Sequence, residues 1–409
     1  MKLHIVGGFL GGGKTTAIIN AAKVLSTEGK KVGVITNDQY LIDTAFVKAN
    51  YSPFEEVING CFSSDLDSLS DKIVSLNQNT QLDYIFAESV GSCTDLVSTV
   101  VKPLMIFNKN IFECLTLSIF IDARLLLSFL KGDNLLFSDD VIYIIDKQIE
   151  EADILIISKI DLLAEAEFPM LKKLVDKMLR GRMIITQNSF SPQNIDNWLD
   201  TLENLPPRKR EPLEIDYQAY GNGEAKLIWL NEEIKFSTLQ SDACEFAFRF
   251  IENIVNTIRR KQIPIGHLKF LLINGEAVQK ISFTAIYDED WKKSLSFVSS
   301  KLLKLVMNAR IETTHEIAHT IIKNEIASIS NNKVHIKRSN AIAFQSGHSA
   351  TMHHIKNTVY CCEECICLKN ILARNAARLK DGSATALAEL ENEQFECSCD
   401  CSDGDGCCC

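Results

Sequence analysis

The first sixteen residues, MKLHIVGGFLGGGKTT, constrain the fold more than any other part of the chain. An apolar run at residues 3–6 predicts a strand, and the apolar run at 17–22 predicts a helix. The glycine-rich segment between them starts at Gly8, ends in Lys14-Thr15 and fits the pattern G-x-x-x-x-G-K-[ST]. A strand, such a loop and a helix in this order are typical of a site for nucleotide phosphates.

Each part of this phosphate loop has an expected role. Glycines let successive backbone N–H groups converge on phosphate oxygens, and the helix N-terminus adds a partial positive charge. Lys14 is expected to contact the β- and γ-phosphates, and the Thr15 hydroxyl a Mg²⁺ ion. The residues predicted to hold the nucleotide here are Gly8, Gly11, Gly12, Gly13, Lys14, Thr15 and Thr16.

Length and composition indicate a globular protein of two or three domains. The chain has 409 residues, 46% of them hydrophobic, which is enough for a large core. Its net charge of -10 argues against nucleic acid or an anionic membrane as partner, because both need clustered Lys and Arg. Since the sequence shows neither a signal-peptide pattern nor an apolar run of the ~20 residues that span a membrane, we expect a cytoplasmic protein with reduced thiols.

Short apolar runs alternate with helical patterns over the first two hundred residues. This alternation predicts an α/β domain in which helices cover both faces of a parallel sheet. Ligands of such sheets bind at the carboxyl ends of the strands. Beyond the first strand, the predicted strands are residues 31–36, 83–87, 115–121, 154–157 and 182–186.

Polar groups follow three of these predicted strands. Asp38 follows the second strand and Glu88 the third, where a carboxylate can hold Mg²⁺ through water and orient an attacking water molecule. Either carboxylate alone could equally be an ordinary solvated loop residue. Together with Lys14 they are the predicted catalytic residues, and together with Thr15 the predicted Mg²⁺ ligands.

Three segments, GGFLGGGKTT, ESVGS and QIEEADILIISKIDLL, resemble the CobW-like P-loop GTPases, relatives of the metal-insertion GTPases UreG and HypB. The resemblance extends to about residue 354 through IGHLK and N-A-R segments, and it implies Mg²⁺-dependent binding and hydrolysis of GTP. In that family the pattern N-K-x-D reads guanine, so Lys159 is expected to pack on the base and Asp161 to accept its hydrogen bonds. Ser158 stands in place of the Asn.

The metal-binding segment of the family differs in this chain. CobW-like proteins usually carry G-C-x-C-C, whose thiolates bind a transition metal, whereas this chain has Gly60-Cys61-Phe62-Ser63-Ser64. Hydroxyls are poor ligands for a soft or borderline metal, and Cys61 alone cannot form a tight zinc site. Cys61 can equally be an ordinary small buried residue.

The C-terminal tail offers other thiols. Ten of the fourteen cysteines lie from Cys361 onward. The predicted ligands of Zn²⁺ or another transition metal are Cys361, Cys362, Cys365 and Cys367. A low-complexity tail without a metal role is the alternative.

The sequence predicts four regions. They are a P-loop GTPase domain (1–205), a linker (206–224), a smaller α+β domain (225–357) and a Cys-rich, partly disordered tail (358–409). Long amphipathic helices are predicted near residues 244–260 and 291–307 of the α+β domain.

The expected function is that of a metallochaperone-like GTPase, which delivers a transition metal or a metal cofactor, with cobalamin as one option, to an unknown client protein. Whether two copies form a homodimer is left open. One alternative is a P-loop enzyme that phosphorylates or activates a small molecule. Another is a zinc protease, because His315, Glu316 and His319 match H-E-x-x-H.

Overall fold

A computed structural model of the chain describes residues 1–37, 54–57, 61–108, 111–205, 213–275, 277–286, 291–294, 299–344 and 353–355. The predicted tail and its thiols lie outside these residues. Among the helices that are described, none is both long and apolar enough to cross a lipid bilayer.

Seven parallel strands form the first sheet, in the order β3-β2-β4-β1-β5-β6-β7. They are β1 (Lys2–Gly7), β2 (Val32–Thr36), β3 (Phe54–Glu56), β4 (Tyr84–Glu88), β5 (Cys114–Asp122), β6 (Ile154–Ser158) and β7 (Ile184–Gln187). The central strands are buried along their length, which explains why they are apolar runs and not alternating ones. The predicted parallel α/β sheet is therefore confirmed, with β3 as an additional edge strand.

Helices cover both faces of this sheet. They are α1 (Lys14–Thr27), α2 (Leu66–Thr80), α3 (Lys102–Phe107), α4 (Ala123–Lys131), α5 (Asp139–Glu151), α6 (Glu167–Met178) and α7 (Pro192–Glu203), with a π-helical turn (Val97–Val101) directly before α3. On one face Trp198 is completely buried against Phe86 and Phe120, and its Nε1 donates to Ser118 Oγ at 3.1 Å. This hydrogen bond satisfies the indole N–H inside an apolar layer.

A second, antiparallel sheet has the order β10-β9-β11-β8-β12. Its strands are β8 (Leu227–Thr238), β9 (Ile265–Asn274), β10 (Ala277–Thr284), β11 (Leu302–Glu312) and β12 (Val334–Phe344). Two helices, α9 (Ala243–Arg260) and α10 (His315–Ile329), contribute apolar side chains to its core. The predicted smaller α+β domain is present, and α9 matches the helix expected near residues 244–260.

The other predicted helix of this domain, residues 291–307, is wrong. Residues 291–294 form one 3₁₀ turn, and β11 begins at residue 302. Leu303, Leu305 and Met307, at every second position of β11, are buried in the second core, whereas Leu302 is exposed and Lys304 half-buried. That spacing fits a strand buried on one face better than a helix.

The segment predicted as a linker, residues 206–224, is partly helical. Helix α8 (Tyr217–Lys226) begins after Asp216, whose carboxylate accepts from two N–H groups of the first turn. A Cβ added at Gly223 would lie 2.5 Å from the backbone oxygen of Asp140, so α8 packs closely against α5. The strand that follows, β8, places Leu227 and Trp229 in the same apolar cluster as the first sheet. The two sheets therefore share part of one core.

The phosphate loop (residues 8–14) also contacts the second sheet. At Gly11, where φ is 76°, an added Cβ would lie 2.2 Å from Thr284 Cγ2. An added Cβ at Gly266 would lie 2.5 Å from Leu10 Cδ1. The tip of the loop is thus packed directly against β9 and β10.

This contact predicts that Gly11→Ala destabilises the protein more than Gly29→Ala. Both glycines have positive φ, 76° and 81°, so alanine costs about 1 kcal/mol at either position. At Gly29 no described atom lies within 4 Å of the added Cβ, whereas at Gly11 it meets Thr284. Thermal unfolding of the nucleotide-free protein measures the difference.

Thr284→Ser serves as the compensating change. It removes the methyl group and keeps the hydroxyl that donates to the Ile286 carbonyl at 2.8 Å. Combined with Gly11→Ala, it should recover part of the lost stability. Equal melting temperatures for Gly11→Ala and Gly29→Ala would contradict the contact.

Candidate nucleotide site

The phosphate loop lies against β5, and this approach requires glycine. Gly8 has a φ of 117°, and an added Cβ there would lie 2.1 Å from the Phe120 carbonyl oxygen. Gly13, with a φ of 85°, directly precedes the first residue of α1. The loop therefore leads straight into a helix N-terminus, the arrangement that binds phosphate.

Lys14 is buried within the loop that it follows. Its Nζ donates to the carbonyl oxygen of Gly8 at 2.8 Å and lies 3.4 Å from that of Phe9. The ammonium group is thus held on the inner side of the loop, where a phosphate would meet it. It carries the positive charge that a β- or γ-phosphate needs.

Thr15 and Glu88 meet at the ends of α1 and β4. The Thr15 hydroxyl donates to Glu88 Oε1 at 2.9 Å, and both side chains are buried. They come together because β4 lies beside β1, so that Glu88 pairs with Val6 just before the loop. A hydroxyl and a carboxylate are hard oxygen ligands, so the pair fits Mg²⁺.

Asp38, the other predicted Mg²⁺ ligand, lies outside the described residues. Its neighbour Asn37 is buried at the end of β2, and the Asn37 backbone N–H donates to the Glu88 carbonyl at 3.1 Å. The chain therefore leaves β2 beside Glu88. The role of Asp38 stays a prediction.

The predicted base-reading residues follow β6. Ser158 is buried, and its hydroxyl donates to the Gly12 carbonyl at 2.6 Å and lies 3.0 Å from that of Ile121. Ser158 therefore connects the phosphate loop at Gly12 to the end of β5 at Ile121. Lys159 is in the left-handed region, with a φ of 58°, and Asp161 is exposed in the turn Ile160–Leu162.

Lys159 has an ion-pair partner that the sequence did not indicate. Its Nζ lies 3.1 Å from Asp122 Oδ2, and Arg124 contacts the same oxygen at 2.8 Å. Burial opposes ionisation of Asp122, but the hydrogen bonds and charges of Arg124 and Lys159 lower its pKa. Asp122 also caps α4 through the Arg124 N–H, so one carboxylate orients both cations.

A cleft of about 280 Å³ joins these groups. One wall consists of the phosphate loop, Thr15, Thr16 and the ends of β2 and β4, and the base-reading side contributes Arg124, Lys159 and Leu162. The opposite wall belongs to the second sheet and includes Trp229, His267, Lys269, Lys280, Ser282 and Thr284. The site predicted for one domain is therefore bounded by both.

A buried arginine connects the second sheet to the loop after Glu88. Arg310 is fully buried, with Nη2 2.7 Å from Ser92 Oγ and 3.2 Å from Glu224 Oε2. Its guanidinium also lies over the Trp229 ring at 4.2 Å from the centroid. The sequence singled out the N-A-R segment only by resemblance, and nothing local indicated these partners.

The G-H-L-K and N-A-R segments meet beside the cleft. His267 Nε2 lies 2.6 Å from Asn308 Oδ1, and Asn308 Nδ2 donates to Asn231 Oδ1 at 2.6 Å. All three side chains are buried. This chain of hydrogen bonds fixes the orientation of His267 at the wall of the cleft.

Cys61 has a thiol neighbour, Cys93, which the sequence analysis did not select. Both are buried, and Cys61 Sγ lies 2.8 Å from Ser63 Oγ and 3.3 Å from Ser64 Oγ. Hydrogen bonding from Cys93 and from these hydroxyls lowers the pKa of Cys61 to about 5, although burial opposes this. The contact with Cys61, together with burial, raises the pKa of the Cys93 thiol. The pair therefore favours one thiolate and one thiol.

The H-E-x-x-H motif lies at the start of α10, where the Thr314 side chain caps the helix by accepting from the Ile317 N–H. Glu316 and His319 are exposed and His315 is half-buried. Across the described part of the chain, no group of three or more His, Cys, Asp or Glu side chains is placed to hold a metal ion. The tail thiols Cys361, Cys362, Cys365 and Cys367 lie outside that part.

Comparison with solved structures finds distant likenesses. HypB from Helicobacter pylori in complex with nickel is 16% identical, covers 50% of this chain and 89% of its own, and has a TM-score of 0.36. HypB from Archaeoglobus fulgidus is 17% identical, covers 50% of this chain and 89% of its own, and has a TM-score of 0.35. Zn(II)-bound YjiA GTPase from E. coli is 14% identical, covers 81% of this chain and 99% of its own, and has a TM-score of 0.32.

Comparison with protein families finds a match over the first part of the chain. The model described as "CobW/HypB/UreG, nucleotide-binding domain" matches residues 2–186. The match spans the phosphate loop, Glu88 and the Ser158–Asp161 turn. Residues 2–186 of this chain therefore match the nucleotide-binding domain of the CobW/HypB/UreG family.

Proposed function

We propose that this protein binds and hydrolyses GTP and couples the turnover to delivery of a transition metal or a metal cofactor, including a cobalamin-related one, to a client protein. The observation that carries the GTPase part is the phosphate loop with Lys14 on its inner side and the Thr15–Glu88 pair 2.9 Å apart at its end. The family-model match over residues 2–186 supports the same function.

Each residue of the site has a proposed task. The loop N–H groups and Lys14 bind the phosphates, while Thr15 and Glu88 hold Mg²⁺, whose charge neutralises the phosphate oxygens. Asp38 is proposed to orient the attacking water together with Glu88. Because Thr15 and Glu88 are already paired in the protein, little rearrangement is needed to present both oxygens to the ion.

Guanine selection is assigned to Lys159 and Asp161. The ion pair with Asp122 holds the Lys159 ammonium group, and Lys159 is one of the residues that line the cleft. Ser158 is not required for contact with the base, because its hydroxyl is used by the Gly12 carbonyl. Replacement of the family's Asn by Ser therefore does not remove the two groups that read guanine.

Two sets of thiols compete for the metal role. The tail contributes the proposed four-sulfur site at Cys361, Cys362, Cys365 and Cys367. Four thiolates are enough to complete the coordination of a tetrahedral metal ion. The buried Cys61–Cys93 pair offers two sulfurs with hydroxyl neighbours, which is an incomplete zinc site. We therefore assign the carrier role to the tail.

Lys14→Ala is expected to abolish GTP hydrolysis and weaken nucleotide binding while leaving the fold intact, because it removes the charge that faces the phosphates. Phosphate release measures the hydrolysis, and titration with GTP measures the binding. Lys23→Ala, an exposed lysine of the same helix, is the control and should behave like wild type. Phosphate release from GTP without any added acceptor also distinguishes hydrolysis from phosphorylation of a small molecule. Retained activity in Lys14→Ala would refute the assignment.

Asp161→Asn is expected to shift the preference from guanine toward xanthine nucleotides. The change removes a charged acceptor, a loss of about 1.5–3 kcal/mol in binding free energy. Competition titrations with GTP, XTP and ATP measure it, with Asp176→Asn, an exposed carboxylate of α6, as control. Equal affinity of the wild type for ATP and GTP would contradict the proposed base selection.

A chain that ends at Asn357 is expected to keep GTP hydrolysis and lose most of its bound metal. A full-length Cys61→Ala, Cys93→Ala variant should keep its metal. Elemental analysis of both, purified under reducing conditions, gives the answer. Because thiolates bind protons in competition with metal, the metal content of the full chain should also fall below pH ~6. Equal metal content in the truncated and full-length chains would exclude the tail as carrier.

A further inference from the structure

One face of the β9–β10 ribbon is directed at the phosphate loop. In the antiparallel register His267 pairs with Thr284, Lys269 with Ser282 and Leu271 with Lys280. Since strand side chains alternate, these residues share one face of the ribbon. The residues between them, such as Phe270 and Phe283, lie in the core of the second domain. The ribbon therefore has one apolar inner face and one face that carries two lysines.

Contacts at the loop fix where this face lies. Thr284 packs against Gly11, and Gly266, at the start of the ribbon, packs against Leu10. Further along the same strands, Lys269 and Lys280 line the cleft and are half-buried. The second sheet thus contributes both lysines to the lining of the cleft that the phosphate loop also lines.

The charge of the cleft differs from that of the whole protein. The chain has a net charge of -10, yet the described lining of the cleft carries five cations and one carboxylate, Glu88. The five cations are Lys14, Arg124, Lys159, Lys269 and Lys280. Two of the five come from the second domain. Such an excess of positive charge is suited to a polyanion such as a nucleoside triphosphate.

We propose that Lys269 and Lys280 bind the phosphates of the nucleotide held by the phosphate loop, so that the second domain forms part of the nucleotide site. This inference rests on the proposed GTP binding and adds to it two residues beyond the match to the family's nucleotide-binding domain. The lysines act in binding. Their charges are supplied by the same polypeptide, and no second copy of the chain is required.

Binding across the two walls has a mechanical consequence. A nucleotide that contacts both the loop and the ribbon adds its binding energy to the interface between the two sheets. Release of the nucleotide removes that energy. The second domain is then held by its direct contacts, which include Thr284 with Gly11 and Arg310 with Ser92.

The test is titration of the full-length protein with GTP and Mg²⁺. Lys269→Ala and Lys280→Ala should each weaken GTP binding about tenfold, the usual effect of losing a hydrogen bond to a charged group, and the double variant more. The loss should shrink at high ionic strength, because salt screens the interaction. Lys269→Arg and Lys280→Arg keep the charge and should retain most of the affinity.

Lys337→Ala is the matched control. Lys337 is exposed on β12, at the opposite edge of the same sheet, so its replacement removes one charge away from the cleft. Its GTP affinity should equal that of wild type. If all three alanine variants weaken binding equally, the effect belongs to the net charge of the domain and the proposal is overturned.

Chemical labelling of the wild type provides a measurement that needs no variant. GTP with Mg²⁺ should protect Lys269 and Lys280 from acetylation, read by mass spectrometry, while Lys337 stays reactive. If the wild type binds GTP, the double variant binds it equally well and GTP does not protect the two lysines, this inference is overturned. The GTPase proposal then stays in place. Failure of the wild type to bind GTP at all overturns both.

Discussion

The site depends on how closely the phosphate loop is held between two sheets. On one side the Gly8 backbone approaches the Phe120 carbonyl so closely that a Cβ would lie 2.1 Å from it, and the Ser158 hydroxyl supports Gly12. On the other side Thr284 packs on Gly11. Because both sides are occupied, the loop has a defined shape before any phosphate arrives, which reduces the entropy lost on binding.

Arg310 is the polar counterpart of this packing. A fully buried guanidinium loses its hydration, which costs free energy. Contacts with Glu224, the Ser92 hydroxyl and the face of Trp229 offset this cost. The partners come from different parts of the chain, so the arginine makes these contacts only when the two domains are arranged as described. Since Ser92 lies four residues after Glu88, that arrangement is connected to the segment that carries the proposed Mg²⁺ ligand.

Local patterns predicted those parts of the protein that depend on local chemistry. The phosphate loop, the parallel strands and the strand-end positions of Glu88 and Ser158 follow from apolar runs and glycine spacing. Contacts between distant segments were not predictable in this way. Cys93 meets Cys61 only once the first domain has folded, and Thr284 meets Gly11 only after both domains have formed. In β11 the apolar residues Leu302 and Val306 lie among Leu303, Leu305 and Met307, so the sequence fits a helical pattern as well as a period of two.

The position of Trp229 has a consequence for how the chain folds. This residue belongs to a strand of the second sheet, yet it packs with Leu227 into the apolar cluster of the first. A domain boundary drawn at residue 225 would therefore divide a shared core and expose apolar surface on both fragments. The two sheets are expected to unfold in a single cooperative transition, and neither half is expected to persist as an independent folding unit.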